Sequence, residues 1–421
     1  MDLLEIVGGN RLRGAIPISG AKNAALPIMA ATILVDGETV LRNVPDLADV
    51  RTMLTLLAKL GVKSHRAADG ALHFRVEDEM NTHAEYELVR QMRASVCVMG
   101  PLLAKRRRSQ VSMPGGCSIG DRPIDLHIRG LKALGADFDL TTGDVLLRSK
   151  KLTGTEIFLG GPFGSSVTAT ANVVMAATLA EGRTLIESAA CEPEVVDLAN
   201  FLNACGARIT GHGTPEIVVE GVASLKGTDY KILPDRIEAG TFLVAAAITN
   251  GDLELLGARI EHLRAVVDVL RRVGVIVERG ERGITVSSSR RLEAVEITTQ
   301  PYPGFPTDLQ AQVMALLSLA DGNSVITEKI FPDRFLHVGE LARMGARLRK
   351  EGPTVIIEGT KKLIGAPVMA SDLRASAALV LAGLIAKGTT RVHRVYHIDR
   401  GYERIEEKLV AVGANIRRAT E

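Results

Sequence analysis

Apolar residues recur along this chain at helical spacing and then stop at glycine. Six such stretches end in Leu-x-x-apolar-Gly followed by a small or branched apolar residue, at Gly61, Gly135, Gly206, Gly274, Gly345 and Gly413. Successive glycines are separated by 74, 71, 68, 71 and 68 residues. So regular a period marks one supersecondary unit used six times.

The copies agree on more than the glycine. Ahead of each stretch lies a more uniformly apolar helix that breaks at glycine and passes into a strand, as in residues 25–35 before Asp36-Gly37 and 173–180 before Glu181-Gly182. Three more copies break at Gly251, Gly322 and Gly388; the second departs, breaking at Lys105-Arg106-Arg107-Arg108. After the Leu-x-x-apolar-Gly helix, two alternating runs flank a turn, as in 136–140 and 145–148 around Thr142-Gly143. Alternation on both sides of a turn is a β-hairpin pattern. Glycine just past a periodic helix supplies the left-handed cap that turns the chain into a strand. The expected unit is therefore α-β-α-β-β, and the chain belongs to the α/β class. The sixth copy runs out at Glu421 before its second hairpin strand. Residues 3–14 resemble 355–365 and 145–154, so the N-terminal strand is expected to complete the last unit, with the termini side by side.

Length and composition fit such a chain. At 421 residues it exceeds the size at which one core keeps growing, so two domains are expected. A hydrophobic fraction of 46% is ample for their cores, which points to a soluble globular protein. The formal net charge of +2 gives no global pull towards nucleic acid or membrane, so any anion binding is local. The apolar runs are too short to span a bilayer, and the chain opens with acidic residues in place of a signal peptide. A cytoplasmic protein is expected.

Cys97, Cys117, Cys191 and Cys205 show neither C-x-x-C spacing nor paired histidines nearby, so no zinc site, disulfide frame or other metal or cofactor is indicated. Cys97 and Cys205 fall in apolar helical stretches and read as core residues. Cys191 reads as a surface residue in a short link. Cys117 sits in Met113-Pro-Gly-Gly-Cys-Ser-Ile-Gly-Asp-Arg-Pro-Ile-Asp-Leu-His127, a loop without apolar periodicity that can expose its thiol. A plain linker has the same composition. Against that reading stands Arg122, with Asp121 and Asp125, directly after the glycines. An unperturbed thiol can act as an acid and, once ionised, as a nucleophile.

A second constellation follows from the repeat. The loops entering the six first helices read Ser19-Gly-Ala-Lys22-Asn23, Gln91-Met-Arg93-Ala-Ser95, Gly160-Gly-Pro-Phe-Gly-Ser-Ser166, Pro234-Asp-Arg236, Pro303-Gly-Phe-Pro-Thr-Asp308 and Ser371-Asp372-Leu-Arg374. Copies of one unit place this loop at the same edge, so the loops can converge. Clustered helix N-termini bind anions, and Lys22, Arg93 and Arg374 strengthen that case. Asp308 and Asp372 serve equally well as helix caps on spacing alone. Arg334 and Arg400 are further basic residues, for which a surface ion pair is the ordinary fate.

These residues match a known family. The chain resembles the UDP-N-acetylglucosamine 1-carboxyvinyltransferases, the enolpyruvyl transferases that open bacterial peptidoglycan synthesis, across nearly its full length. Five segments carry the resemblance: Ser19-Gly-Ala-Lys-Asn-Ala-Ala-Leu-Pro27, Gly115-Gly-Cys-Ser-Ile-Gly-Asp-Arg-Pro-Ile-Asp-Leu-His127, Gly304-Phe-Pro-Thr-Asp-Leu-Gln-Ala-Gln312, Ser371-Asp-Leu-Arg-Ala-Ser376 and Tyr396-His-Ile-Asp-Arg-Gly-Tyr-Glu403. It implies an enolpyruvyl transferase fold: two inside-out α/β barrels of three units each, over 22–232 and over 1–21 with 233–421, with the active site in the cleft between them.

The resemblance also implies a chemistry. Phosphoenolpyruvate adds through C2 to the 3'-hydroxyl of the aminosugar, its C3 is protonated, and the tetrahedral adduct expels phosphate. By this likeness Lys22, Arg122 and Arg400 hold phosphoenolpyruvate, as bidentate guanidinium forks suit carboxylate and phosphate. Asn23, Arg93, Arg122, Pro123, Ile124, Asp125, Leu126, Asp308 and Ile330 line the UDP-sugar site. Asp308 takes the sugar hydroxyl proton. Cys117 protonates C3, forms a covalent adduct with phosphoenolpyruvate and is the target of the epoxide fosfomycin. Asp372, Arg374 and Arg334 support the charged transition state. The implied partners are these two small molecules, with no nucleic acid and no membrane.

One position departs from the family. Members often carry a lysine near the nucleotide where this chain has Gly164, with Ser165, Ser166 and the helix start as the available replacement. Three alternatives stand beside the main reading. The shikimate-pathway enolpyruvyl transferase, 5-enolpyruvylshikimate-3-phosphate synthase, shares the repeat, but the Gly-Gly-Cys loop argues against it. A catalytically silent sugar-nucleotide-binding paralogue conflicts with the intact set of Lys22, Cys117, Asp308 and Arg400. A nucleic-acid-binding protein is motivated by residues 105–108, yet the chain has 3% aromatics and no Trp for base stacking.

Overall fold

The first helices of the six copies are buried around their whole circumference because they are apolar on every face. In the computed structural model, which describes residues 2–113, 123–288 and 291–420, they are Lys22–Ala31, Met99–Arg106, Val167–Ala177, Arg236–Ile248, Gln310–Leu317 and Leu373–Gly383. The second helices are Ala48–Lys59, Asp125–Ala133, Pro193–Ala204, Arg264–Val273, His337–Arg343 and Ile405–Ala411. These mix buried and exposed positions and cover the outer side. Each of the six repeat glycines adopts the left-handed backbone expected of it, with φ of 79° at Gly61 and between 91° and 103° at the other five. Where the second copy lacks a glycine after its first helix, Arg107 takes the left-handed position at φ 60°.

The unit has one strand more than expected. A short strand precedes the first helix and pairs parallel with the strand that follows it: His83–Ala84 with Arg108–Ser112, Glu156–Phe158 with Arg183–Glu187, Glu296–Thr298 with Asn323–Thr327, and Pro367–Met369 with Thr389–His393. The copy is therefore β-α-β-α-β-β. These leading strands span only two or three residues, too few to display alternation. For the two remaining copies the leading strands are exchanged in sequence. Arg13–Pro17, just ahead of the first copy, pairs with Asp252–Leu256 of the fourth, while Asp229–Lys231, just ahead of the fourth, pairs with Glu38–Arg42 of the first.

That exchange sets the division of the chain. One compact unit contains the N-terminal segment to Ser19 and the residues from Pro234 onward; the other runs from Gly20 to Leu233. Each has its own hydrophobic core. In each, three buried helices pack together and three four-stranded sheets surround them, so each is an α/β barrel turned inside out. In the first of these units the strand Asp2–Val7 lies between Thr389–His393 and Asn415–Thr420, antiparallel to both. Asp2 faces Thr420 and Val7 faces Asn415, so the N-terminal strand completes the last copy as expected.

Cys97 and Cys205 are buried, and desolvation pushes both thiols up to about 12. Cys191 is more enclosed than expected, its thiol 3.7 Å from the Ala189 carbonyl, and burial raises its pKa as well. Among the described residues no helix is long and apolar enough to cross a membrane.

Leu4 and Ile6 of the N-terminal strand are fully buried in the core of their unit. Replacing Ile6 with alanine should cost about 2–5 kcal/mol and lower the melting temperature by roughly 5–15 °C. A chain lacking residues 1–20 that melted cooperatively at the full-length temperature would show that this strand is dispensable.

Candidate active site

Chemistry in a first helix of this kind is confined to its ends, and the N-terminal ends are polar. In the unit that contains both termini, the turn Thr307–Leu309 opens the fifth-copy helix and carries Asp308. Both carboxylate oxygens are engaged by arginines. Arg334 Nη1 donates to Oδ1 at 2.8 Å, and Arg374 donates to Oδ2 from Nε at 3.2 Å and Nη2 at 3.1 Å. Arg374 is almost fully buried and Arg334 nearly so, whereas Asp308 stays about a quarter exposed. Burial works against the charge of Arg374, but the neighbouring Tyr402, Asp308 and Asp235 raise its pKa above the ordinary guanidinium value. Arg374 Nη1 and Ser371 Oγ are buried without a hydrogen-bond partner among the described residues.

Spacing alone left Asp308 and Asp372 equivalent as helix caps. The structure separates them. Asp372 Oδ1 accepts from the backbone N–H groups of Arg374 at 2.9 Å and Ala375 at 3.1 Å, and so caps the helix Leu373–Gly383. Asp308 instead points into the arginine pair. Arg334 is likewise no surface ion pair, being 7% exposed. Ile330 is half-buried, its N–H donating to Glu328 Oε1 at 2.8 Å. Arg400 ends the turn Val395–Arg400, two residues before Tyr402, whose ring lies against Arg374.

The other unit presents its own polar helix starts. Lys22 is the first residue of the helix Lys22–Ala31, and its Nζ donates to Asp49 Oδ2 at 3.0 Å; both side chains are largely buried. The preceding Gly20 is required by crowding, since a Cβ there would fall 1.7 Å from the Asn43 carbonyl oxygen. Asn23 is half-buried, and Arg93, also half-buried, opens the turn Arg93–Val98. Pro123 and Asp125 are exposed, Ile124 and Leu126 buried. Leu126 packs against the loop at 160–166, where a Cβ on Gly161 would meet its Cδ1 at 3.1 Å. In that loop Gly161 and Gly164 exchange backbone hydrogen bonds of 3.0 and 3.1 Å, and Gly164 sits at φ 93°. A lysine at Gly164 would strain this turn by roughly 1–2 kcal/mol, so the departure from the family is built into the local backbone. Ser166 caps the helix that follows, accepting from Ala169 at 3.3 Å. Cys117 and Arg122 lie outside the described residues.

Several contributors escaped the sequence reading. Glu328, fully buried, accepts from the Ile330 and Phe331 amides and from the Thr299 and Thr307 hydroxyls, and Thr307 also receives Arg334. His337 is buried beside Asp372 and Arg334, and desolvation pushes it down to about 4, so it is neutral at pH 7. In the other unit, His127 is fixed by Thr168 at 3.1 Å and Asn172 at 2.8 Å. Only Asp49 carried a signal, as an acidic residue in the first turn of a helix.

One unit thus carries a doubly held carboxylate with two arginines at its helix starts, and the other carries Lys22 at a helix start of its own. Comparison with known proteins adds the family. The model of the EPSP synthase (3-phosphoshikimate 1-carboxyvinyltransferase) family matches residues 6–409. UDP-N-acetylglucosamine 1-carboxyvinyltransferase from Methylacidiphilum infernorum is 55% identical over 418 residues, covering 99% of both chains. The protein of that name from Myxococcus xanthus is 54% identical over 420 residues, again 99% of both. Among solved structures, the enolpyruvyl transferase NikO from Streptomyces tendae superposes with a TM-score of 0.90 at 26% identity, covering 100% of this chain and 99% of its own. EPSP synthase from Acinetobacter baumannii shares the fold, with a TM-score of 0.77 at 20% identity over the whole of both chains. Full-length identity above half with the former enzymes, against fold-level likeness to the latter, places the division within the family: this chain belongs to the UDP-N-acetylglucosamine 1-carboxyvinyltransferase family of enolpyruvyl transferases.

Proposed function

We propose that this chain transfers the enolpyruvyl group of phosphoenolpyruvate to the 3'-hydroxyl of UDP-N-acetylglucosamine with release of phosphate, the first committed step of peptidoglycan synthesis. The observation that carries the site assignment is Asp308, held on both carboxylate oxygens by Arg334 and Arg374 at the mouth of a buried helix.

The proposed steps use groups already described. Asp308 accepts the proton of the sugar hydroxyl as its oxygen forms a bond to C2 of phosphoenolpyruvate. Cys117 gives a proton to C3, which leaves a tetrahedral adduct without net charge on the former alkene. A C3 proton then returns to the Cys117 thiolate as the C2–O bond to phosphate breaks, which restores the alkene, and the leaving phosphate takes the proton held on Asp308. Lys22, Arg122 and Arg400 hold the phosphate and carboxylate of phosphoenolpyruvate. Asn23, Arg93, Pro123, Ile124, Asp125, Leu126 and Ile330 receive the UDP-sugar, while Arg334, Arg374 and Asp372 keep Asp308 and the developing charge in register. A cytoplasmic location suits this reading, since substrates carrying several charges do not cross a bilayer unaided.

Inorganic phosphate release tests the activity. With phosphoenolpyruvate present, release is expected with UDP-N-acetylglucosamine as acceptor, none with shikimate-3-phosphate, and none with either in Cys117→Ser. Release with shikimate-3-phosphate would reassign the chain to the shikimate enzyme, and release with neither acceptor would leave a silent binding paralogue. Asp308→Asn should lower kcat by about 10²–10⁴-fold, the range of a positioned general base, with the fold retained by circular dichroism. Fosfomycin should label Cys117 alone, because burial raises the pKa of Cys97, Cys191 and Cys205 and holds their thiols protonated. Peptide mass spectrometry finding the adduct on one of those three instead would contradict the assignment.

A further inference from the structure

We propose that Tyr402 is a positioning residue for the Asp308 carboxylate, acting through Arg374 and Gln312. The inference rests on the reading of Asp308 as the group that takes the sugar hydroxyl proton.

Tyr402 is 1% exposed, and a buried phenol must find both an apolar seat and a partner for its hydroxyl. Its ring faces the Arg374 guanidinium, whose Cζ lies 5.3 Å from the ring centroid. The hydroxyl is 2.8 Å from Thr241 Oγ1 and 3.2 Å from Gln312 Nε2. Thr241 Oγ1 also lies 2.9 Å from the Ile237 carbonyl and 3.2 Å from Gln312 Nε2, so the two hydroxyls and the amide form one closed cluster in which either hydroxyl can donate to the other. Burial raises the pKa of the phenol, so it keeps the proton this arrangement needs.

One side chain thus ties three buried helices at a point, two through its hydroxyl and one through its ring. Thr241 belongs to Arg236–Ile248, Gln312 to Gln310–Leu317, and the Arg374 that the ring supports to Leu373–Gly383. Two routes lead from it to Asp308. Gln312 Nε2 also lies 2.9 Å from the Asp308 carbonyl oxygen and fixes the backbone. Arg374, held from beneath by the ring, grips the carboxylate. A guanidinium so deeply buried has few alternative sources of stabilisation, and the ring face is one of them. Its geometry, and through it that of Asp308, is set by a side chain that touches no reacting atom.

A double-mutant cycle separates positioning from bulk structure. Tyr402→Phe, which keeps the ring, should lower kcat by about tenfold, and Tyr402→Leu, which loses ring and hydroxyl, by about 100-fold, as for a small misplacement of a catalytic group. KM for phosphoenolpyruvate should stay within about twofold, since its binding is assigned to Lys22, Arg122 and Arg400. In an Asp308→Asn background, neither change should lower kcat further. Equal falls in both backgrounds would mean a purely structural role, and full kcat in folded Tyr402 variants would also overturn the inference. If Tyr402→Leu fails to fold, the Tyr402→Phe arm decides alone. Wild-type kcat in Asp308→Asn by itself would remove the underlying reading of Asp308 and this inference with it; an inactive Asp308→Asn beside fully active Tyr402 variants would remove only the inference.

Discussion

Each first helix is enclosed on nearly all sides, so the charged side chains on it stand in its first or last turn. That constraint organises the molecule. Side chains along Lys22–Ala31, Val167–Ala177 or Leu373–Gly383 meet other helices or sheet faces in every direction, and a charge midway along would be stranded in an apolar core. At the N-terminal ends unpaired backbone N–H groups favour anions. Lys22, Arg236, Asp308 and Arg374 all occupy such starts. Repeating the unit multiplies these starts without adding net charge, so a chain of net charge +2 still places cations at helix starts in both of its units.

Placing ions at a buried helix start has a consequence for the groups themselves. Arg374 loses nearly all its water, and removing one member of such a buried pair typically costs about 3–5 kcal/mol because the other charge is left uncompensated. Asp308, Arg334 and Arg374 therefore stand or fall together. Asp308 differs in exposure: its partners are enclosed while the carboxylate still reaches solvent. Asp372 has the opposite fate, with one oxygen spent on the helix cap that fixes where Arg374 begins.

The parts legible in the sequence were those that repeat or that require a particular residue. The six glycines were visible because only a left-handed backbone turns each second helix into its strand, and all six adopt it. The pairing of the first and last strands was visible because 3–14 matches segments that occupy the same place in other copies. The leading strands were hidden by their length, and their exchange between the first and fourth copies lies in topology, which composition does not encode. Spacing could not separate Asp308 from Asp372, since both stand at helix starts and only tertiary contact with Arg334 and Arg374 tells them apart. Tyr402, Gln312 and Thr241 lie at three distant points of the chain, so no local pattern could join them.

As a member of the UDP-N-acetylglucosamine 1-carboxyvinyltransferase family, the chain exchanges one bond at C2 of phosphoenolpyruvate and leaves the sugar nucleotide otherwise intact. Phosphorus NMR of the protein with phosphoenolpyruvate and UDP-N-acetylglucosamine, paired with mass spectrometry of the nucleotide product, follows every phosphorus atom and the transferred carbons. The account predicts that the enol phosphate signal is replaced by inorganic phosphate, that both diphosphate signals persist, and that the nucleotide gains one enolpyruvyl group. Loss of the diphosphate signals, or phosphate release without a heavier nucleotide, would contradict it.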